Sequence, residues 1–238
     1  MKISKIIKKI TTVILILIIL FCVIQIYNKY LGYYLDSNNY ENLRTFSPSN
    51  IDSDDENEKN LKNINPDYIF WIRVDGTNID FPVVQGTDND FYLHHRFNKE
   101  KGFSGSIFVD SENNINTDAN IVIYGHNMRN DTMFAQLKYF ENQNFFNNNK
   151  YITLYKHGKQ IKFEIFSVYS SKAEKFALEL KLNFQNKELY EEYLKEQADK
   201  SLFKRDGIDL QADSRIITLF TCSYEFDDAR IAVVAKEV

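Results

Sequence analysis

Two side chains suited to nucleophilic and proton-transfer chemistry close apolar runs in this sequence. Cys222 ends "RIITLFTC" and His126 ends "ANIVIYGH". A thiol becomes a nucleophile when its thiolate is accessible and its surroundings favour negative charge. An imidazole at a strand end can take or give a proton near neutral pH. Arg230 follows the cysteine by eight residues and opens the apolar run "RIAVVAKEV". If these two C-terminal runs pair antiparallel, the intervening "SYEFDDA" brings Arg230 back level with Cys222. A guanidinium there would stabilise a thiolate and the oxyanion of a tetrahedral intermediate. Each residue also has a plain reading. Cys222 would be a small buried hydrophobe, and Arg230 a surface cation paired with Asp227 or Asp228. Spacing alone leaves both readings open.

The remaining histidines carry less. His157 lies in "YKHGKQ", a hairpin turn, and is expected to be solvated. His94 and His95 are neighbours that would point to opposite sides of an extended segment, with no companion ligands for a metal.

The thiol must be held in a particular compartment. Residues 10–28, "ITTVILILIILFCVIQIYN", contain no charge and match the length of helix that crosses a ~30 Å hydrocarbon layer. Lys2, Lys5, Lys8 and Lys9 precede it, which places residues 1–9 in the cytoplasm and the rest of the chain outside. A cleaved signal peptide would have an apolar core of about 7–15 residues and a small-residue cleavage site; neither is found here, so an uncleaved single-pass anchor is expected. Cys22 lies inside this span and cannot meet Cys222 in a soluble domain, so Cys222 is left as a free thiol outside the cell.

Behind the site stand the elements that must position it. Of 238 residues, 44% are hydrophobic and 15% aromatic, enough for one core of ordinary domain size. The net charge of −4, with no basic run beyond the N-terminus, gives nucleic acid nothing to bind. Residues 29–65 read as a stalk leading into a polar helix, with "SPSNIDSDDENEKN" either a solvated linker or the capped start of a helix running into "EKNLKNIN". From Tyr68 onward, short β-rich runs alternate with turns. "YIFWIRV" and "IDFPVVQ" flank Asp75-Gly76-Thr77-Asn78 as a hairpin, and six further runs bring the total to about eight strands, which suits a closed or nearly closed barrel. Residues 132–140, "TMFAQLKYF", have helical spacing. A longer helix starts at an Asn186 cap and is expected to pack across the barrel. The Asn-rich "ENQNFFNNNK" reads as a loop.

"TLFTC" with a downstream arginine resembles the sortase signature, and "IYGHNM" resembles the sortase strand that carries the catalytic histidine. "INPDYIFWIRVDGTNIDFPVVQ", "FYLHHRF" and "GSIFVD" further resemble class B sortases, so that the likeness covers about residues 60–238. It implies a mainly β fold: an eight-stranded sortase-type β-barrel over residues 66–238, with N-terminal helices and a long helix before the cysteine strand. It implies a cysteine transpeptidase in which Cys222 attacks a carbonyl in the C-terminal sorting motif of a secreted protein. His126 would serve as acid and base, and Arg230 would hold the oxyanion. The thioacyl-enzyme would pass to the amine of a cell-wall precursor, lipid II or peptidoglycan. Tyr124, Thr221 and Ser223 would contact substrate, Ser223 standing where some class B relatives carry an acidic residue. NP-type motifs are expected over LPxTG. No cofactor is expected, and no metal, since no acidic calcium site of the class A type is evident.

Two rivals remain on sequence alone. A cysteine protease would use the same Cys222 and His126 and release product to water. A non-enzymatic anchored β-domain would bind a ligand and leave the thiol unused.

Overall fold

The computed structural model describes residues 2–48, 54–172, 180–222 and 229–238, and the side chains of these except 2–6, 54–55, 172, 222 and 229. Eight strands form a closed barrel: β1 (Tyr68–Val74), β2 (Asp80–Val84), β3 (Ile107–Val109), β4 (Asn120–His126), β5 (Tyr151–Lys156), β6 (Lys159–Lys172), β7 (Ile216–Cys222) and β8 (Ala229–Glu237). Their order around the barrel is β1-β2-β3-β4-β7-β8-β6-β5, with β5 closing antiparallel onto β1. The expected hairpin of β1 and β2 is present. Most pairs are antiparallel; β2 with β3 and β4 with β7 are parallel.

The continuous apolar runs of β7 and β8 reflect cover on both faces. Ile217, Leu219, Val233 and Ala235 belong to the main core. Their alternates Ile216, Phe220, Ala232 and Val234 pack in a second cluster with Tyr190, Tyr193 and Leu194 of a helix, Lys187–Asp199. This helix starts at the expected cap: the Asn186 side chain accepts a hydrogen bond from the Leu189 amide at 2.9 Å.

Among the described residues four other α-helices precede it: α1 (Lys2–Leu43), α2 (Asp54–Ile64), α3 (Phe91–His94) and α4 (Gln143–Asn148); Lys187–Asp199 is therefore α5. They correct several expectations. The first part of the stalk is helical, since α1 runs unbroken from the apolar segment to Leu43. The helix expected at 132–140 is a 3₁₀ helix, Ala135–Glu141. Its buried Phe134, Leu137 and Phe140 recur every third residue, the spacing that a 3₁₀ turn stacks on one face. Met133, at φ +56, delays its start.

The Asn-rich patch is not all loop. Asn142 caps α4 by accepting from the Phe145 amide. Phe145 then packs edge-on against Phe140 with ring centres 5.0 Å apart, and Phe146 contacts Phe203 at 5.8 Å. Two adjacent aromatics with somewhere to bury outweigh the local preference of asparagine for turns. His94 ends α3, and His95 follows it in extended backbone, bridging to Lys101. His95 stacks on Phe91 at 3.9 Å with its Nδ1 2.7 Å from the Phe91 carbonyl oxygen, while exposed His94 faces Asp90. His157 is exposed in its hairpin turn, its ring 3.0 Å from a Glu58 carboxylate oxygen.

Candidate active site

The parallel pairing of β4 with β7 brings the two reactive positions together. Its register runs from Asn120 opposite Ile216 to His126 opposite Cys222, so the two residues close neighbouring strands, with backbones about 4.8 Å apart. The strand on the other side of β7 is β8. Its antiparallel register with β7 runs to Phe220 opposite Ala232, and two more residues of the same register put Arg230 level with Cys222. By alternation Arg230 shares the strand face of Ala232, which packs in the α5 cluster. Arg230 is half-buried and also pairs across to Ser171 of β6. Ser223, Asp227 and Asp228 lie outside the described residues.

His126 is buried, and its Nε2 stands 2.7 Å from the Leu93 carbonyl oxygen. A carbonyl can only accept, so Nε2 carries a proton and the neutral ring keeps its lone pair on Nδ1. The Leu93 carbonyl is itself fixed from behind. Gly105 turns at φ +54 directly against it, and a Cβ on Gly105 would stand 2.6 Å from that oxygen. Only glycine permits this approach.

Tyr124, two residues before His126 on the same strand face, is half-buried. Its hydroxyl donates to Asp110 Oδ2 at 2.8 Å, and its ring meets Phe220 edge-on at 5.7 Å. Asn89 Nδ2 donates to the same Asp110 oxygen at 3.0 Å, and the Glu112 amide donates to the other at 2.9 Å. Thr221 is buried, and its hydroxyl accepts the Ile231 amide hydrogen at 2.9 Å, continuing the β7–β8 connection beyond the last backbone pair, Phe220 with Ala232.

Of the residues singled out from sequence, His126 and Cys222 pair in backbone register, Tyr124 and Thr221 stand beside them on β4 and β7, and Arg230 lies on the adjoining β8. Three contributors were not foreseen. The Leu93 carbonyl is a backbone group that no side-chain pattern reveals. Asp110 and Asn89 act on Tyr124 from segments 14 and 35 residues upstream of it; an aspartate closing the apolar "GSIFVD" was the one available signal.

A model of the sortase domain matches residues 72–238. Sortase B of Listeria monocytogenes is 31% identical over 215 residues, covering 89% of this chain and 86% of its own. The crystal structure of a mutant form of Clostridium perfringens sortase B is 68% identical and superposes with a TM-score of 0.82 over 85% of this chain and 98% of that one. A substrate complex of Staphylococcus aureus sortase B is 29% identical, with a TM-score of 0.78 over 87% of this chain and 98% of its own. With the eight-stranded barrel and these likenesses running nearly end to end, the chain belongs to the sortase family, to its class B, and is a cysteine transpeptidase.

Proposed function

We propose that Cys222, His126 and Arg230 carry out the transpeptidation, and that its substrate is a C-terminal sorting motif of a secreted protein. The observation that supports this most is the parallel β4–β7 register, which pairs His126 with Cys222, while β8 on the other side of β7 carries Arg230 two residues beyond its last paired position. The Cys222 thiol passes its proton to Nδ1 of His126, and the resulting thiolate attacks the carbonyl carbon of the scissile peptide bond, whose oxygen becomes an oxyanion held by Arg230. The C–N bond then breaks as His126 gives its Nδ1 proton to the leaving amine, Nε2 remaining committed to the Leu93 carbonyl. A thioester is left on Cys222. The amine of lipid II or a peptidoglycan precursor loses a proton to His126 and attacks the thioester carbonyl, and the thiolate departs.

Tyr124 and Thr221, on β4 and β7 beside His126 and Cys222, line the substrate groove in this reading, and Ser223, which follows the cysteine in sequence, is assigned to it by resemblance alone. The Staphylococcus aureus relative has been crystallised with a substrate, which supports a groove that takes a peptide here; the motif is expected to be of the NP type. Residues 1–9 are cytoplasmic, 10–28 anchor the chain in the membrane and 29–65 join the anchor to the catalytic barrel of residues 66–238, which faces the extracellular side. The apolar part of α1, with mean hydropathy 2.8 in its most apolar window and none of that window buried, supports the anchor.

Intact-mass measurement of the full-length chain in detergent, mixed with an NP-motif peptide, tests the covalent step. The expected product is a protein heavier by the N-terminal peptide fragment, reversed by hydroxylamine and absent in Cys222→Ala. An adduct that forms in Cys222→Ala contradicts the assignment.

A further inference from the structure

One stripe of α1 is buried outside the apolar segment: Gly32, Asp36, Tyr40 and Leu43 recur at helical spacing and face the barrel. The first three hold a single loop, residues 96–105. Asp36 Oδ1 accepts from Arg96 Nε at 2.5 Å, with both side chains at least nine-tenths buried. Asp36 Oδ2 accepts the Ser104 amide hydrogen at 2.8 Å, and the Tyr40 hydroxyl donates to the Gly105 carbonyl. Gly32 is a notch for Phe103: a Cβ on it would stand 2.2 Å from the Phe103 ring, which also contacts Tyr33. Yet Phe103 remains 54% exposed, beside Tyr30 at 69% and Tyr34 at 60%.

The helix fixes where these rings stand. Gly32 lies four residues beyond Asn28, where the uncharged run ends, which is about 6 Å along a helix axis. The headgroup layer on each side of a bilayer is roughly 5–8 Å thick. The helix is continuous through this stretch, and a tilt of about 20° changes the height by less than 1 Å. An exposed phenylalanine at that depth is in the zone where aromatic side chains partition favourably, apolar body inward and polar neighbours outward.

We propose that the barrel does not hang from a tether but sits on the bilayer, with Phe103 of the 96–105 loop inserted among lipid headgroups beside Tyr30 and Tyr34 of α1. The inference rests on the reading of α1 as a membrane anchor and adds a second, loop-borne contact to it. It also places the reactive edge. The same loop turns at Gly105 against the Leu93 carbonyl that receives the His126 proton. A small cleft of about 40 Å³ between α1 and the segment leaving β4 is lined by Asp36 and Tyr40 on one side and by Met128 and Met133 on the other. The His126 end of the barrel is therefore the membrane-proximal end, where acceptor amines carried on lipid are most concentrated.

Tryptophan reporters in the full-length chain, reconstituted in phosphatidylcholine vesicles, test this; the native Trp71 is fully buried and supplies a constant background. Three variants are compared: Ile18→Trp in the middle of the apolar run, Phe103→Trp, and Leu202→Trp, an exposed site on the segment after α5. Lipids brominated near the headgroup are expected to remove roughly half of the emission added by Phe103→Trp, with aqueous iodide quenching it several-fold less than Leu202→Trp. Lipids brominated near the chain ends are expected to quench Ile18→Trp most strongly. Quenching of Ile18→Trp by lipid, with Phe103→Trp open to iodide and untouched by bromine, overturns the docking proposal and leaves the anchor standing. Absence of lipid quenching at Ile18→Trp overturns the anchor and the proposal with it. Tyr30→Trp repeats the test should Phe103→Trp disturb the loop, with the same outcomes.

Discussion

At the scale of single residues, the proposed chemistry divides into roles that substitution separates. Removal of the imidazole in His126→Ala is expected to lower kcat about 10²–10⁴-fold, measured by peptide cleavage. Arg230→Ala is expected to lose about 10²–10³-fold, the usual effect of deleting an oxyanion donor. Arg230→Lys should recover only part of this, because an ammonium lacks the planar fork of a guanidinium. Thr221→Val makes a different prediction. The Ile231 amide then loses its acceptor in a buried setting, so stability should fall by about 1–3 kcal/mol, read from urea denaturation. A Thr221→Val protein as stable as the wild type would mean that the hydroxyl serves the substrate and not the barrel.

Among elements, the contact between α1 and the 96–105 loop is the most consequential. Asp36→Ala takes from Arg96 its buried partner and leaves only the exposed Glu100 carboxylate at 3.3 Å, a loss of about 3 kcal/mol, detectable as a lowered denaturation midpoint. Asn186→Ala removes the cap of α5 and should cost about 1 kcal/mol. The junction of α2 with β1 supplies a pH dependence. Burial pushes the Asp67 carboxyl up, but hydrogen bonds from Lys99 and Tyr92 outweigh it and hold it below the ordinary carboxylate range. The sign follows. This stability is present above about pH 4 and is lost as the pH falls through the lower folded-state value. Thermal midpoints recorded from pH 6 downward should therefore decline less steeply in Asp67→Asn than in the wild type.

Strand content and the capped α5 were legible because alternation and caps are local signals, and α2 likewise. The extent of α1 was not: "KYLGYYLDSNNYENL" lacks a one-sided apolar stripe, and its buried face includes a glycine and an aspartate whose partners lie about 60–70 residues away. The same cause hid α4, which depends on where Phe145 and Phe146 can bury.

Across the whole molecule, closure of the barrel makes the site. His126 and Cys222 are nearly a hundred residues apart in sequence, and only the parallel β4–β7 pairing makes them neighbours. Local pattern announced both strands but not their adjacency, and resemblance to a family supplied what periodicity lacked. Arg230 was closer to legible, since a short return between two apolar runs constrains the register by itself.

In the proposed reaction, the barrel edge at Cys222 transfers an acyl group to an amine. The most direct test offers the full-length chain an NP-motif peptide with increasing concentrations of a cell-wall-type amine and follows both products by mass. The expected result is an aminolysis product that rises at the expense of hydrolysis, with neither product formed by Cys222→Ala. Cleavage that persists in Cys222→Ala, or a product ratio indifferent to amine, would contradict it.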